Sequence, residues 1–511
     1  MNQILKAMLV RIYSAACLGL EVIPVTVEVS VTPGVGIFLV GLPDGAVRES
    51  LLRVTTALQA CGYRIPGKKI VINLAPADVR KEGSLFDCAI AMGILFASEQ
   101  IRFPMSEQVC LWGELALDGS LRRVPGSLPL ALYARDAGFE VAVFPAQVAE
   151  EAACVEGVRI CGAEHLSQLV PWLEESEFPG APKRSPAGLP RARSRSDDFA
   201  WVVGQPFAKR GLEIAAAGGH NILLVGPPGA GKSFMARCLA SILPPMSLEE
   251  SLETRKIYSV AGKGIDFSGE DLLPPFRAPH HTASLVSLTG GGAQALPGEI
   301  SLAHNGVLYL DEMVQFSPTL LNLLRQPLEE RKISISRAKY KVTYPASFML
   351  VGSMNPCPCG FYGDGTDRCR CGEGVIQRYW SRLSGPLLDR IDLQIFVHSV
   401  DPMSLVDRAA EEASAVVAER VTRARSIQKA RFAQEGIFCN AAMDSRLIDR
   451  WCVLDPSCKD LLEKMVRKLN LSARGCSRLL KLARTLADLA GQESIQVQHL
   501  AEAVGYCRAK E

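Results

Sequence analysis

At 511 residues the chain has room for about two to four domains, and an apolar fraction of 48% is ample for more than one buried core. Its 56 Lys and Arg against 54 Asp and Glu leave a net charge of +2, which excludes a surface coated in basic charge but allows a local basic pore or stripe. No window offers the roughly eighteen uninterrupted apolar residues of a membrane helix, and Met1 to Ala15 carries Lys6 and Arg11 without a compact apolar core and cleavage site. No membrane partner and no signal peptide are expected. The sixteen cysteines, mostly scattered singly among apolar residues, fit buried thiols in a reducing, cytoplasmic location.

Residues 1–173 form the first expected unit. Val25, Val27, Val29 and Val31 alternate with polar residues, the period of a half-buried strand. Gly36 to Val40 and Lys69 to Leu74 read as further strands. Ala46 to Cys61 and Asp87 to Ala97 read as helices, and Asp118-Gly119 as the turn of a hairpin. Mixed strands and helices imply an α/β or α+β domain. Ala75-Pro76-Ala77-Asp78, Lys81 to Asp87 and Gly113-Glu114-Leu115 resemble the Lon-protease-like fold of the ribosomal S5 domain 2 type. Lon-type proteases use a serine–lysine dyad. In the alignment the serine position falls on Leu85 and the lysine position near Leu128, and no lysine occurs between Lys81 and Lys183. Ser84 is adjacent but lacks a base, so the unit is expected to be a non-proteolytic binding or assembly module.

Residues 174–199 read as a flexible linker rich in proline, with a basic run at Arg191, Arg193 and Arg195. The ATPase unit is expected over residues 200–398. Asn221 to Val225 is a short apolar strand, followed by Gly226-Pro227-Pro228-Gly229-Ala230-Gly231-Lys232-Ser233 and a helix. Gly226, Gly231, Lys232 and Ser233 fill the fixed positions of the P-loop pattern. Glycines let backbone N–H groups turn inward around phosphate, and the helix N-terminus adds its positive end. Lys232 is expected to neutralise the β- and γ-phosphates of ATP, and Ser233 to ligate Mg²⁺. Gly306 to Leu310 is a continuous apolar run, as a central parallel strand needs, and ends in Asp311 and Glu312. Asp311 is expected in the Mg²⁺ shell, and Glu312 as the carboxylate that orients and polarises the attacking water.

Arg331 to Val342 alternates as a projecting β-hairpin would. Arg337, Lys339 and Lys341 on it are candidates for DNA phosphate contacts, against the alternative of an ordinary solvated hairpin. Phe348 to Met354 is a second apolar strand, and it delivers Asn355 to hydrogen-bond the γ-phosphate or the water. Cys357-Pro358-Cys359 and Cys369-Arg370-Cys371 form two C-x-C pairs across a glycine-rich loop. Four thiolates so spaced suit tetrahedral Zn²⁺, with free thiols or disulfides as the alternatives. Residues 399–511 are helical throughout, with long helices expected over Leu405–Ala430 and Ser472–Ala490. Arg420, Arg423, Arg425 and Lys429 are expected on the solvated side of the first.

The P-loop, Leu310-Asp311-Glu312, the Asn355 strand, the hairpin before it and Leu387-Leu388-Asp389-Arg390-Ile391-Asp392 together resemble AAA+ ATPases of the magnesium-chelatase group. Arg277 to His281, Pro297 to His304, Leu471-Ser472-Ala473-Arg474-Gly475 and the Lon-like unit narrow the resemblance to the YifB/ComM-type magnesium-chelatase-like ATPases. The resemblance implies an AAA+ P-loop core with a C-terminal helical lid. It implies Asn355 as sensor 1, Arg390 as an arginine finger offered to a neighbouring subunit and Arg474 as the sensor-2 arginine. It further implies a ring, hexameric by expectation, acting on single-stranded or branched DNA in recombination or natural transformation. The alternative is a chelatase-like or protein-remodelling ATPase working with a protein partner.

Overall fold

The computed structural model describes residues 8–78, 81, 83–180, 197–263, 273–292, 294–336, 341–399 and 411–507. Arg337, Lys339 and the basic run Arg191, Arg193 and Arg195 lie outside the described residues.

The first unit is built on a mixed seven-stranded sheet. β1 (Met8–Leu18) and β2 (Glu21–Thr32) form its long antiparallel centre, and burial of Val25, Val27 and Val29 matches the alternation in the sequence. β3 (Gly36–Val40) and β4 (Lys69–Ala75) extend one side, and β5 (Val109–Leu111) pairs with β1 on the other. A short hairpin, β6 (Glu114–Leu115) and β7 (Leu121–Arg122), turns at Asp118-Gly119. β8 (Val141–Pro145) and β9 (Arg159–Ala163) complete the order β3-β4-β2-β1-β5-β8-β9. Helix Gly45–Ala60 is capped by Asp44, which accepts from the Val47 N–H, and helix Asp87–Ala97 is buried along almost its whole length.

The ATPase unit is a parallel five-stranded sheet in the order β11-β14-β17-β10-β18: β10 (Ile222–Val225), β11 (Phe276–Arg277), β14 (Val307–Leu310), β17 (Met349–Met354) and β18 (Leu393–Phe396). β10, β14 and β17 are buried at every residue, which is why their sequences are continuously apolar. Two hairpins stand off the sheet. One is β12 (Gly290–Gly291) with β13 (Leu296–Pro297); the other is β15 (Lys332–Ser336) with β16 (Lys341–Pro345). The second does not project freely at its base. Ile333, Ile335, Val342 and Tyr344 are buried on one face, while Lys332, Ser334, Lys341 and Thr343 are exposed on the other.

The C-terminal helices share one apolar core with the sheet: Ile222, Leu224 and Ile395 pack in the same cluster as Val417, Val421, Leu479, Leu482 and Leu486. The first helix spans Ser414–Arg431, so it begins later than the expected Leu405, and residues 400–410 lie outside the described residues. Its arginines are not all solvated. Arg420 pairs with Glu213 and Glu412, and Arg425 donates to the carbonyls of Ala216 and Phe438 at 3.2 and 3.3 Å. Both tie this helix to what it packs on.

The first unit is seated on the ATPase unit. The N–H groups of Gly126 and Leu128 donate to the carbonyl and hydroxyl of Ser259 at 2.9 and 3.1 Å, at the end of helix Leu248–Val260. The turn between β1 and β2 pushes Leu18 and Leu20 against the apolar cluster that holds Ile333, Val342 and Tyr344.

Candidate active site

The P-loop joins the C-terminal end of β10 to helix Lys232–Ile242. Gly229 and Gly231 have φ of +79° and +82°, and a Cβ built on either would meet nothing within 4 Å. An open cradle of backbone N–H groups faced by a helix N-terminus fits a phosphate chain. Gly226 is required for another reason: a Cβ there would lie 2.2 Å from the Val397 carbonyl oxygen, beyond the end of β18. The Lys232 ammonium donates to the carbonyls of Gly226 and Pro227 at 2.7 and 2.8 Å, and to the Asn355 Oδ1 at 3.2 Å. These are neutral acceptors. Burial pushes the Lys232 pKa below its ordinary value, and the nearby Asp311 and Glu312 charges only partly oppose this. A desolvated ammonium held by neutral oxygens is suited to a strong anion such as a triphosphate.

Asp311 and Glu312 follow β14 directly. Ser233 Oγ donates to Asp311 Oδ2 at 3.1 Å, which brings the P-loop hydroxyl and the strand-end carboxylate together. Tyr309 Oη donates to Asp311 Oδ1 at 2.8 Å, and Ser353 Oγ donates to the same oxygen. Burial raises the Asp311 pKa, but hydrogen bonds from Ser353, Tyr309 and Ser233 outweigh it and hold the carboxyl below its ordinary value. Oxygen donors of this kind, Ser233 and an ionised Asp311, suit Mg²⁺. Glu312 adopts φ +49°, with its N–H held by Asp311 Oδ1 and Ser353 Oγ at 3.1 and 3.3 Å, and its side chain is exposed. The sequence reading missed Tyr309 and Ser353. The signal was there: a hydroxyl on an otherwise apolar, fully buried strand needs a partner.

Asn355 comes just after β17 and meets Lys232 through its Oδ1. The loop after it carries four cysteines whose Sγ atoms all lie within 4.8 Å of one another, with Cys357–Cys359, Cys357–Cys369 and Cys359–Cys369 at 3.2, 3.8 and 3.7 Å. Four sulfurs at Zn–S distances of about 2.3 Å in a tetrahedron stand about 3.8 Å apart, so Cys357, Cys359, Cys369 and Cys371 fit one metal ion. The Phe361 backbone N–H and the Cys357 thiol lower the Cys359 pKa to about 6, while the neighbouring thiols help push Cys369 and Cys371 up, so without a metal the four share their protons unevenly. This loop touches the nucleotide cradle: a Cβ at Gly360 would lie 2.7 Å from Pro228 Cδ. Trp380 Nε1 pins its start by donating to the Pro356 carbonyl at 2.9 Å.

Arg390 and Arg474 are elsewhere. Asn221, just before β10, accepts from the Asp392 N–H and donates through Nδ2 to the Arg390 carbonyl at 2.9 Å. Arg390 therefore sits at the N-terminal end of β10 and β18, while the P-loop sits at the C-terminal end. Four strand residues at about 3.3 Å each separate the two ends by about 13 Å. Arg474 is at the same end as Arg390. Both line a cavity of about 330 Å³ with Asn221, Arg331, Arg478 and Lys481.

Of the remaining candidates, Lys341 is exposed on the hairpin. His304 is buried, accepts from the Ser347 N–H at 3.0 Å and lies 2.9 Å from Glu253, as a packing residue would. In the first unit, Leu128 is fully buried, and Ser84 Oγ donates to the Glu114 carboxylate rather than to a lysine.

Family models place the chain. Residues 198–405 match the model "Magnesium chelatase, subunit ChlI", residues 27–148 match "Subunit ChlI of Mg-chelatase" and residues 411–507 match "Magnesium chelatase, subunit ChlI C-terminal". The protein YifB of Salmonella typhimurium is 43% identical over 498 residues, covering 97% of this chain and 96% of that protein. The competence protein ComM of Haemophilus influenzae is 43% identical over 499 residues, with the same coverage. The chain belongs to the YifB/ComM-type magnesium-chelatase-like family. The AAA+ core of that family accounts for the five-stranded parallel sheet, with the P-loop after β10 and the acidic pair after β14. A partial likeness exists as well: Lon protease 2 of Bacillus subtilis is 24% identical over 185 residues, 32% of this chain and 34% of that one. Among the described residues no helix is long and apolar enough to cross a membrane.

Proposed function

We propose that this protein is an ATP-hydrolysing ring motor that moves DNA, working in the cytoplasm as a helicase or branch-migration enzyme during recombination or uptake of foreign DNA. The observation that carries the ring is the position of Arg390 and Arg474 at the opposite end of the sheet from the P-loop of their own chain. Arginines that cannot reach their own nucleotide are placed to reach a neighbour's, and a head-to-tail contact of that kind closes into a ring, here a hexamer.

Within one chain the roles divide as follows. The backbone of Gly226 to Ser233 cradles the phosphates, and Lys232 neutralises them. Ser233 and Asp311 hold Mg²⁺, and Tyr309 and Ser353 keep Asp311 ionised and aimed. Bound there, Mg²⁺ offsets charge on the β- and γ-phosphate oxygens. Glu312, its backbone fixed by Ser353, orients the attacking water and polarises it. Asn355 bridges Lys232 and the reacting phosphate. Arg390 and Arg474 of the adjoining subunit stabilise charge that develops on the γ-phosphate. The cysteine cluster holds Zn²⁺ and stiffens the wall beside Pro228 and Asn355.

Two features support DNA as the partner. A relative of 43% identity over nearly the whole chain is named a competence protein. The β15–β16 hairpin keeps Lys332 and Lys341 exposed on one face, and in the sequence Arg337 and Lys339 stand between its two strands. The Lon-like unit, residues 1–173, has no lysine paired with Ser84, whose hydroxyl meets Glu114, and is read as an assembly module; residues 200–398 are the motor core and 399–511 its lid, joined to the first unit by the 174–199 linker. The test is ATPase activity with forked or single-stranded DNA, compared with a tetrapyrrole-binding partner protein. Stimulation by DNA supports the reading; stimulation by the partner alone supports a chelatase-like motor instead.

A further inference from the structure

Arg390 and Arg474 come from different parts of the chain, one after the short helix Gly385–Leu388 and the other at the start of helix Ala473–Leu489. They meet at one carboxylate. Arg390 Nη2 donates to Glu329 Oε1, and Arg474 Nη2 lies 3.8 Å from the same oxygen. Among the described residues no other carboxylate pairs with either arginine. Asp392, in the same cavity, is engaged by His220 and by the Asn221 N–H. Arg390 is held firmly, its side chain only 10% exposed and its Nη1 donating to the Pro386 carbonyl. Its Nε is buried with no hydrogen-bond partner among the described residues. Among the described residues Arg474 pairs with Glu329 alone, and its side chain is 64% exposed.

Two guanidinium groups in one cavity repel, and each long side chain has rotamer freedom to lose before it can act. A carboxylate shared between them removes both difficulties at once. It also links the lid helix, through Arg474, to the core helix Arg325–Glu330 that carries Glu329. We propose that Glu329 is a positioning residue that sets Arg390 and Arg474 for the phosphates of the neighbouring subunit's nucleotide. The inference rests on the reading that these arginines act across the subunit boundary.

The test uses Glu329→Gln and Glu329→Asp in the full-length ring. Glu329→Gln is expected to lower kcat by roughly ten-fold or more, as misplaced groups do, with KM for ATP within about two-fold because each nucleotide is bound by the other edge of the interface. Glu329→Asp, which keeps the charge, should recover part of the loss. The melting temperature should change little, since Glu329 is half-exposed and the Gln amide oxygen can still accept from Arg390. Mixing with Lys232→Ala should raise turnover above that of Glu329→Gln alone, because the Lys232→Ala subunit brings an intact Glu329 and both arginines. Mixing with Arg390→Ala should not, because both defects lie on one edge. An unchanged kcat, a rise in KM in place of the fall in kcat, or equal recovery with both partners would overturn the role of Glu329. If Arg390→Ala itself fails to be complemented by Lys232→Ala in rings shown to co-assemble, the cross-subunit reading fails first.

Discussion

The Asn221 side-chain amide donates to the Arg390 carbonyl at 2.9 Å, across the starts of two neighbouring parallel strands. One residue thus fixes the arginine to the end of the sheet that its own P-loop does not occupy. Arg390→Ala should keep ATP affinity and lose turnover by a factor on the order of 1,000, the scale of other arginine fingers. Nucleotide titration and steady-state hydrolysis on the same preparation check both halves.

Lys232→Ala and Glu312→Gln should fail in different ways. The first removes a desolvated cation from the phosphate cradle, so nucleotide binding itself should be lost. The second keeps the cradle and the Asp311 cluster but removes the base that positions water. It should bind ATP and hydrolyse it at least about 100-fold more slowly. A Glu312→Gln protein with near-normal turnover would remove the role assigned to Glu312.

Freshly purified protein should carry one Zn²⁺ per chain. Cys359→Ser should lose the metal, and because Gly360 packs on Pro228 it should also weaken ATP hydrolysis without touching Lys232 or Asp311. Elemental analysis paired with an ATPase assay reads both effects. Metal content near zero with four freely titrating thiols would retire the site.

The seating of the first unit on the hairpin gives a stability prediction. Gly19 has φ +65°, and a Cβ there would stand 2.2 Å from Val342 Cγ1. Gly19→Ala should cost about 1–3 kcal/mol, the range for overpacked sites. Val342→Ala in the same chain should return part of that by opening space. A double-mutant cycle by thermal unfolding measures the coupling, and purely additive effects would mean the two residues do not touch.

β2, β3 and β4 of the first sheet, β10, β14 and β17 of the second and the P-loop were legible because local pattern sets them: Val307 to Leu310 is buried on both faces and must be apolar, and Gly231 needs a positive φ; β1, β5, β8, β9, β11 and β18 were not read as strands. The meeting of Arg390 with Arg474 at Glu329 was not legible. It depends on packing between a core helix and a lid helix far apart in sequence, and a charged residue on a helix face looks the same whether it is solvated or paired. Arg420 and Arg425 were misread for that reason: their partners Glu213 and Ala216 lie on the helix Pro206–Gly218, in the ATPase unit. The start of helix Ser414–Arg431 was missed because apolar spacing between Leu405 and Ala413 continues the helical period without a breaker.

The account rests most heavily on an active site completed by two subunits, and mixing Lys232→Ala with Arg390→Ala tests that directly. Each protein alone should be nearly inactive. In mixed rings some interfaces join an intact P-loop from the Arg390→Ala chain to an intact arginine from the Lys232→Ala chain. Hydrolysis should then reappear in proportion to those interfaces. Two proteins that co-assemble and remain inactive at every ratio would contradict the account.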